Sequence, residues 1–528
     1  MKSVSGKITV LVMTFAMSLA AVVAYQKNTA PLPPPPKPVK DTLRIGLMEP
    51  ILSLHPNRFT PTSIVNALFD AMVSSNRDGE FRYRNIALEK IQVSADGKEC
   101  LITLRKGMLL HDGAEVTSAD VVYSFRSQVS ENNLRYLGNL KYEIVDKYII
   151  RIINDEMTDW GSVLKKDILN EKYEKKHLAN PEEYIPMGSG PYKFVSYDEE
   201  KEVVKLERWE KYWAGPAPFK YIEFHSFKNS DAQTMALLEG RVDYGTYVNN
   251  EDINLIKVND DIQILETDGI FMGIMSLNYN SPKLNDWRVR KALSLLIPRQ
   301  AIVDSPNGLR GDGIAADTMF NLIHPVTKPD LVDGFSPEKA MRLLNEAGYK
   351  LENGKMMRNG QRLTMNVSFI DNDVINALGP LRMVAQAWNE NGIRTTLRTK
   401  ERSDLTKSMK DNNYDAIFEY RTDWSWSGSF KQEVVHYNSD VNSPHYIQDG
   451  ELEMAFGNFM VAQVSGATEK ERLELKKQVQ AQLRRISHIV PLFYTKCFFA
   501  TRGLGNMQKE LAMEPYSLEY VFRPKLAR

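Results

Sequence analysis

Cysteine is almost missing from this chain. There are two in 528 residues, Cys100 and Cys497, and neither belongs to a CxxC pair. That excludes a thiolate zinc site and a small disulfide-stapled fold. Histidine is sparse as well. His55, His111, His177, His225, His324, His436, His445 and His488 are scattered, with no two at i, i+4, so no HExxH metal helix is present. A GxSxG nucleophile elbow and a phosphate-cradling P-loop are also lacking, which argues against a hydrolase and places any ATPase on another chain. An excess of one charge is absent: 67 Lys and Arg balance 67 Asp and Glu. With no global field, a nucleic-acid partner is not expected.

What is there is ordinary globular material. Hydrophobic residues are 43% and charged residues 25%, the balance of a soluble folded protein. At 528 residues the chain is too long for one core, so two or three lobes are expected. Cys100 lies in Cys100-Leu101-Ile102-Thr103-Leu104, where it would share a strand face with Ile102 and Leu104. Both cysteines read as small buried hydrophobes, and an exported location would also permit a disulfide between them.

The N-terminus carries Lys2 and Lys7 and then an apolar run from Ile8 to Ala24. This is a signal-peptide layout, either cleaved after Ala24 or kept as an anchor, and it has no lipoprotein cysteine. Pro31-Leu32-Pro33-Pro34-Pro35-Pro36-Lys37-Pro38 follows. Consecutive prolines favour extended polyproline II, so residues 25–40 read as a spacer. The folded body is expected from Asp41 onward.

Along the body, Thr42 to Leu47 alternates as a first strand, and Ile91 to Leu104 reads as two strands about an Asp96-Gly97 turn. Thr117-Ser118-Ala119-Asp120 resembles a capping box opening a helix. Asp286 is placed to cap a helix carrying Val289, Leu293 and Leu296 on one face. Ser336-Pro337 starts another helix and Gly348 stops it. Leu475, Val479, Leu483 and Ile486 keep helical spacing. Thr364–Phe369, Thr395–Arg398 and Asp415–Glu419 read as strands between these helices. The mixture is α/β.

Seven segments in order then resemble one family. Leu104-Arg105-Lys106-Gly107-Met108-Leu109-Leu110-His111-Asp112-Gly113, continuing to Val121, is similar to its "LRKGVKFHDG…TAEDV" signature. Met187-Gly188-Ser189-Gly190-Pro191-Tyr192-Lys193-Phe194 resembles "GTGPYKF". Arg208 to Trp213 resembles "RNPDYW", Ala236 to Asp243 "ALLSGEVD", and Arg288 to Leu293 "RVRQAL". Pro337 to Tyr349 is similar to "PEKAKKLLAEAGY", and Ile489 to Phe493 to "PVIPLYY". The family is the bacterial extracellular solute-binding proteins, family 5, the dipeptide- and oligopeptide-binding proteins of ABC importers. The resemblance covers the whole body. Glycines 97, 107, 113, 188 and 190 within these segments have an architectural reading, as turn or close-approach positions that identify the fold without binding ligand.

The resemblance implies an α/β clamp of the periplasmic-binding-protein-like type II (cluster C) class, two lobes with an extra domain. The expected division is 1–24 signal or anchor, 25–40 spacer, lobe I from 41–72, 188–268 and 490–528, the extra domain at 73–187, and lobe II at 269–489. It further implies no catalysis, no cofactor, a periplasmic or extracytoplasmic location, and a monomer. The expected partners are a peptide ligand, an ABC transporter permease and separate ATPase subunits. In the family an Asp in a "YD…W…AD" segment meets the peptide's α-amino group; the matching position is Asp423, after Tyr414-Asp415. Trp424 and Trp426 would lie beside it, Arg421 is a further cleft candidate, and Asn278 resembles a "GFNT" asparagine near the inter-lobe strand. Two departures stand out. Pro298 replaces an Asp at a helix start, and Trp424-Ser425-Trp426-Ser427 replaces a "YPDP"-like turn in the pocket region. A metal, haem or sugar carrier, or a sensing role with an anchored N-terminus, therefore remains an alternative.

Overall fold

The computed structural model describes residues 40–528 except 49, 59, 76–82, 95, 133–139, 156–157, 159, 178–183, 249–251, 317–333, 371–376, 423–448, 453, 456–457, 460–467, 508–510, 512–517 and 524–528. The signal-like run and the proline spacer lie outside the described residues. Among the described residues no helix is long and apolar enough to cross a membrane.

One eleven-stranded sheet organises the body. Its strands in chain order are β1 (Thr42–Leu47), β2 (Tyr192–Asp198), β3 (Val203–Arg208), β4 (Tyr221–Ser226), β5 (Tyr244–Val248), β6 (Ile262–Leu277), β7 (Gly313–Ala315), β8 (Thr364–Phe369), β9 (Arg394–Thr399), β10 (Ala416–Thr422) and β11 (Ile489–Arg502). The spatial order is β9-β8-β10-β6-β11-β5-β1-β4-β3-β2, with β7 also on β11. Two strands are far longer than the rest: β6 has 16 residues and β11 has 14. Strands usually run to about six residues, so each of these serves two structures in turn.

The register shows where one structure ends and the next begins. Residues 262–267 of β6 pair with 497–502 of β11, and residues 271–276 pair with 489–495. On the first side β11 is flanked by β5, at Phe498 to Thr501. On the second side β10 flanks β6, at Phe271 to Leu277. The two halves have separate cores. Leu43, Ile45, Phe69, Tyr192, Phe224, Tyr244 and Phe499 pack in one. Val289, Leu293, Leu344, Val367, Leu381, Trp388 and Phe493 pack in the other.

Residues 88–153 add a four-stranded antiparallel sheet of Leu88–Val93, Glu99–Leu104, Ile149–Ile153 and Lys141–Ile144. The helix Ser118–Asn132 contributes Val121, Val122 and Phe125 to the core beside it. The expected strand face holds, since Cys100, Ile102 and Leu104 are all fully buried. Both cysteines are buried, in different cores. Burial pushes the Cys100 thiol up to about 12, so it behaves as a hydrophobe.

Local signals do what the sequence implies. Asp120 accepts from the Thr117 amide at 2.9 Å and hydroxyl at 2.8 Å, closing one half of the cap at the helix start. Asp286 accepts the Arg288 amide at 2.9 Å. The Pro337–Glu346 helix has proline in its first turn, and Gly348 follows at φ +85°.

The signature glycines are architectural for two different reasons. Gly107 and Gly113 adopt φ +76° and +90°, which side chains resist. Gly188 and Gly190 are instead crowded: a Cβ would come within 2.1 Å of the Leu68 carbonyl oxygen at one and 2.5 Å of its carbon at the other. His111 secures the same segment. Its amide donates to Gly188 O at 2.8 Å, and its ring Nε2 lies 3.0 Å from Gly190 O.

Candidate functional site

Strand direction locates the site. β11 runs from the second half into the first, and β5 is antiparallel to it, so β5 points its carboxyl end back at the crossing. β1 is parallel to β5, and β4 is parallel to β1. In the other half β10 is antiparallel to β6 and also runs toward the crossing. β8 is parallel to β10, and β9 to β8. Three parallel strands from each half, the two sets running toward each other, therefore aim their carboxyl ends at the crossing. Open α/β sheets bind ligands at the carboxyl ends of their strands.

The crossing itself is irregular. Between Thr267 and Phe271 the β6 chain places residues 268–270 opposite the single residue Lys496. Such a bulge bends and twists a pair. Beyond it β7 takes the place beside β11 that β5 holds in the first half. Lys496 bridges the change: its amide donates to Asp312 O at 2.9 Å, and its Nζ lies 2.5 Å from Glu266 Oε1. Burial raises the Asp312 carboxyl above its ordinary range, an effect opposed by Lys496. Next to the bulge Gly273 leaves room for aromatic packing, since a Cβ there would meet Phe493 at 2.7 Å. Phe493, Phe418 and Tyr420 form a ring cluster with centroids 5.1–6.3 Å apart.

The site residues read from sequence fall in different places. Arg421 lies in β10 opposite Met272, at the end nearest the crossing. Asp423, Trp424 and Trp426 follow it and lie outside the described residues. Asn278 is at the far end of β6, beyond the Leu277–Ala416 pair, which puts it ~20 Å from Arg421 along the strands. Its amide is engaged locally: Nδ2 donates to Tyr414 O at 2.8 Å, and Oδ1 accepts the Asn280 amide at 3.0 Å. The neighbouring Asp415 also braces the fold, accepting the Asn366 amide at 2.8 Å and pairing with Lys283 at 2.8 Å. The structure thus sets Asn278 apart from Arg421, because β6 carries it away from the crossing.

Sequence reasoning missed the loop that follows β1. Residues 50–58 leave the carboxyl end of a strand aimed at the crossing, and Leu52 within it is 71% exposed. An exposed leucine at the carboxyl end of such a strand is placed to offer an apolar contact to a ligand. Pro50 and Pro56 mark a turn there, but no sequence signal shows which side chain faces out. Among the described residues no group of three or more His, Cys, Asp or Glu is placed to hold a metal.

A sheet split at two crossing strands, with both sets of carboxyl ends facing the split, defines a two-lobed α/β clamp. Similarity to known proteins takes this further. Residues 83–442 match the Bacterial extracellular solute-binding proteins, family 5 Middle, and the chain belongs to that family. It is 25% identical over 468 residues to heme-binding protein A of Haemophilus influenzae, covering 81% of this chain and 82% of that one. It is 26% identical over 377 residues to the dipeptide-binding protein of Escherichia coli, covering 64% and 66%. The oligopeptide-binding protein AppA from Bacillus subtilis, in complex with a nonapeptide, superimposes with a TM-score of 0.69 at 20% identity, covering 89% of this chain and 95% of that one. The fold is the type II periplasmic-binding-protein clamp, and the chain is a solute-binding protein of an ABC importer, not an enzyme.

Proposed function

We propose that this protein captures short peptides between its lobes outside the cytoplasmic membrane and hands them to an ABC transporter permease driven by separate ATPase subunits. The observation that carries this reading is the convergence of six strand carboxyl ends, three from each half, on the crossing of β6 and β11. Lobe I would comprise 41–72, 188–268 and 490–528, lobe II 269–489, and the inserted domain 73–187. Peptides share one backbone and differ in side chains, so a carrier grips main chain and a terminus while leaving roomy, wet pockets. Asp423 would hold the peptide ammonium, with Trp424, Trp426 and Arg421 beside it and Leu52 facing them from lobe I. A charge-assisted bond of this kind contributes roughly 1.5–3 kcal/mol. Residues 1–40 would export the protein and either be cleaved or tether it by a stiff proline spacer. The clamp would work as a monomer, since each lobe must swing freely.

A second reading, a haem carrier, is favoured by the match to heme-binding protein A over 81% of the chain. Mass spectrometry of small molecules released on denaturing protein purified from its export compartment separates the two. Peptides with common termini and varied side chains support the first reading, and loss of their retention in Asp423→Ala assigns the anchor. A haem absorption band with no peptides supports the second.

A further inference from the structure

The inserted domain needs a role, and its contacts with the loop after β1 supply one. The loop is internally fixed. His55 N donates to Ser53 Oγ at 3.0 Å, Thr60 Oγ1 reaches His55 O at 2.7 Å and Ser53 O at 3.0 Å, and Arg58 N donates to His55 O at 3.0 Å. Tyr197 Oη donates to Ile51 O at 3.1 Å, immediately before Leu52. Two side chains then leave the loop for the inserted domain. Asn57 Nδ2 donates to Ser127 Oγ at 3.3 Å, on the helix Ser118–Asn132. His55 Nε2 lies 3.3 Å from Glu174 Oε2, on the helix Glu171–His177.

The second contact is oriented on both sides. The Asn57 amide donates to His55 Nδ1 at 3.1 Å, so Nδ1 is the bare nitrogen and the ring proton sits on Nε2, facing the carboxylate. The other carboxylate oxygen accepts the Tyr184 hydroxyl at 2.7 Å, and the Tyr184 ring lies 5.1 Å from the His55 ring. His55 is 4% exposed and Glu174 is 0% exposed. A carboxylate taken out of water is costly unless donors are aimed at it, and an apolar pair would fill the same space more cheaply. Directional bonding offers what apolar packing does not: it fixes the loop's position and not only its burial.

We propose that Glu174 is a positioning residue, through which the inserted domain holds His55 and with it the lobe I wall of the cleft that presents Leu52. This rests on the cleft reading above, and it gives the inserted domain a part in affinity without any contact to solute. A wall already ordered in the free protein spares the ligand the cost of ordering it.

The test uses the full exported protein. Hydrogen–deuterium exchange in the absence of any solute should show amides of residues 51–60 exchanging at least about tenfold faster in Glu174→Leu, with β1 and β5 unchanged. Glu174→Gln, whose amide oxygen can still accept from His55, should restore protection. Two loop variants dissect the same contact. His55→Asn keeps an acceptor near the Asn57 amide but loses the tie to Glu174, and it should loosen the loop. His55→Gln keeps a donor toward Glu174, and it should loosen the loop less. The tripeptide Ala-Leu-Ala, used as probe, should bind Glu174→Leu about tenfold more weakly than wild type, and Glu174→Gln within about twofold. Unchanged exchange in Glu174→Leu and His55→Asn overturns the proposal, as does loosening that spreads through the whole inserted domain. If Ala-Leu-Ala fails to bind wild type, the peptide reading fails, and the exchange data still decide the role of Glu174.

Discussion

Arg523 in the first half of the molecule and Arg290 in the second are both buried, and they are held in opposite ways. In the first half Arg523, 3% exposed, pairs with Asp70 at 3.0 Å and also donates to Phe69 O at 2.8 Å. Asp70 takes further bonds from the Tyr212 hydroxyl at 2.8 Å and Trp213 Nε1 at 3.0 Å. Burial works against the Arg523 charge, but Tyr212 and Asp70 more than restore it and raise its pKa. In the second half Arg290, 1% exposed, donates to three carbonyls: Ile486 at 3.0 Å, Leu284 at 2.6 Å and Asn285 at 2.9 Å. Burial pulls its pKa down to about 10. Ile486 ends the helix Glu469–Ile486, so the guanidinium sits at a helix C-terminus, where a cation is favoured. One half neutralises its buried cation with a carboxylate and so clasps Arg523 to Phe69 and Asp70. The other uses a cation as a cap that joins a helix to a turn.

That contrast can be broken by experiment. The largest effect should come from Asp70→Ala, which strands the Arg523 charge and should cost about 3–5 kcal/mol in urea unfolding. Adding Arg523→Met to it should recover much of the loss; no recovery would mean that packing, and not charge, governs the site. Next is the pH response of His111. Burial lowers its pKa from 6.5 to about 4, so between those values the unfolded chain binds a proton that the folded one refuses. Stability should therefore fall as pH drops from about 6.5 toward 4, by about 3 kcal/mol at most, and His111→Gln should flatten that slope. Arg290→Met should cost about 2 kcal/mol, because it leaves three carbonyls without a donor but strands no charge. A cost equal to that of Asp70→Ala would erase the distinction between the halves. The smallest effect is Gly113→Ala, about 1 kcal/mol from its positive φ, in open space. Gly190→Ala, crowded by the Leu68 backbone, should exceed it clearly in the same assay.

The parts of this structure that were legible in the sequence are the local ones. The strand Thr364–Phe369, the cap at Asp286 and the stop at Gly348 depend on residues a few positions apart, and their chemistry is visible in a short window. The α/β class followed from the same periodicities. The crossing was not legible from pattern. It pairs Thr267 with Cys497 through backbone groups that every residue carries. Asp70 and Arg523 are 453 positions apart, and nothing near either marks the other as its partner. His55 read as one of several scattered histidines, because the carboxylate beside it is 119 positions away. At the site, neither the position of Arg421 at the carboxyl end of β10 nor that of Asn278 beyond the opposite end of β6 could be read locally, because both follow from the pairing of β6 with β10.

The clamp itself is best tested by the distance between its halves. Glu239 and Glu390 are exposed and lie on opposite sides of the crossing, and Cys100 and Cys497 are buried away from label. Spin labels at Glu239→Cys and Glu390→Cys would report that distance by pulsed electron resonance, first on protein stripped of small molecules and then after adding back those released from the purified protein. The account predicts a shorter and narrower distance distribution once the solute is bound. An unchanged distribution, with binding verified in the same sample, would contradict it.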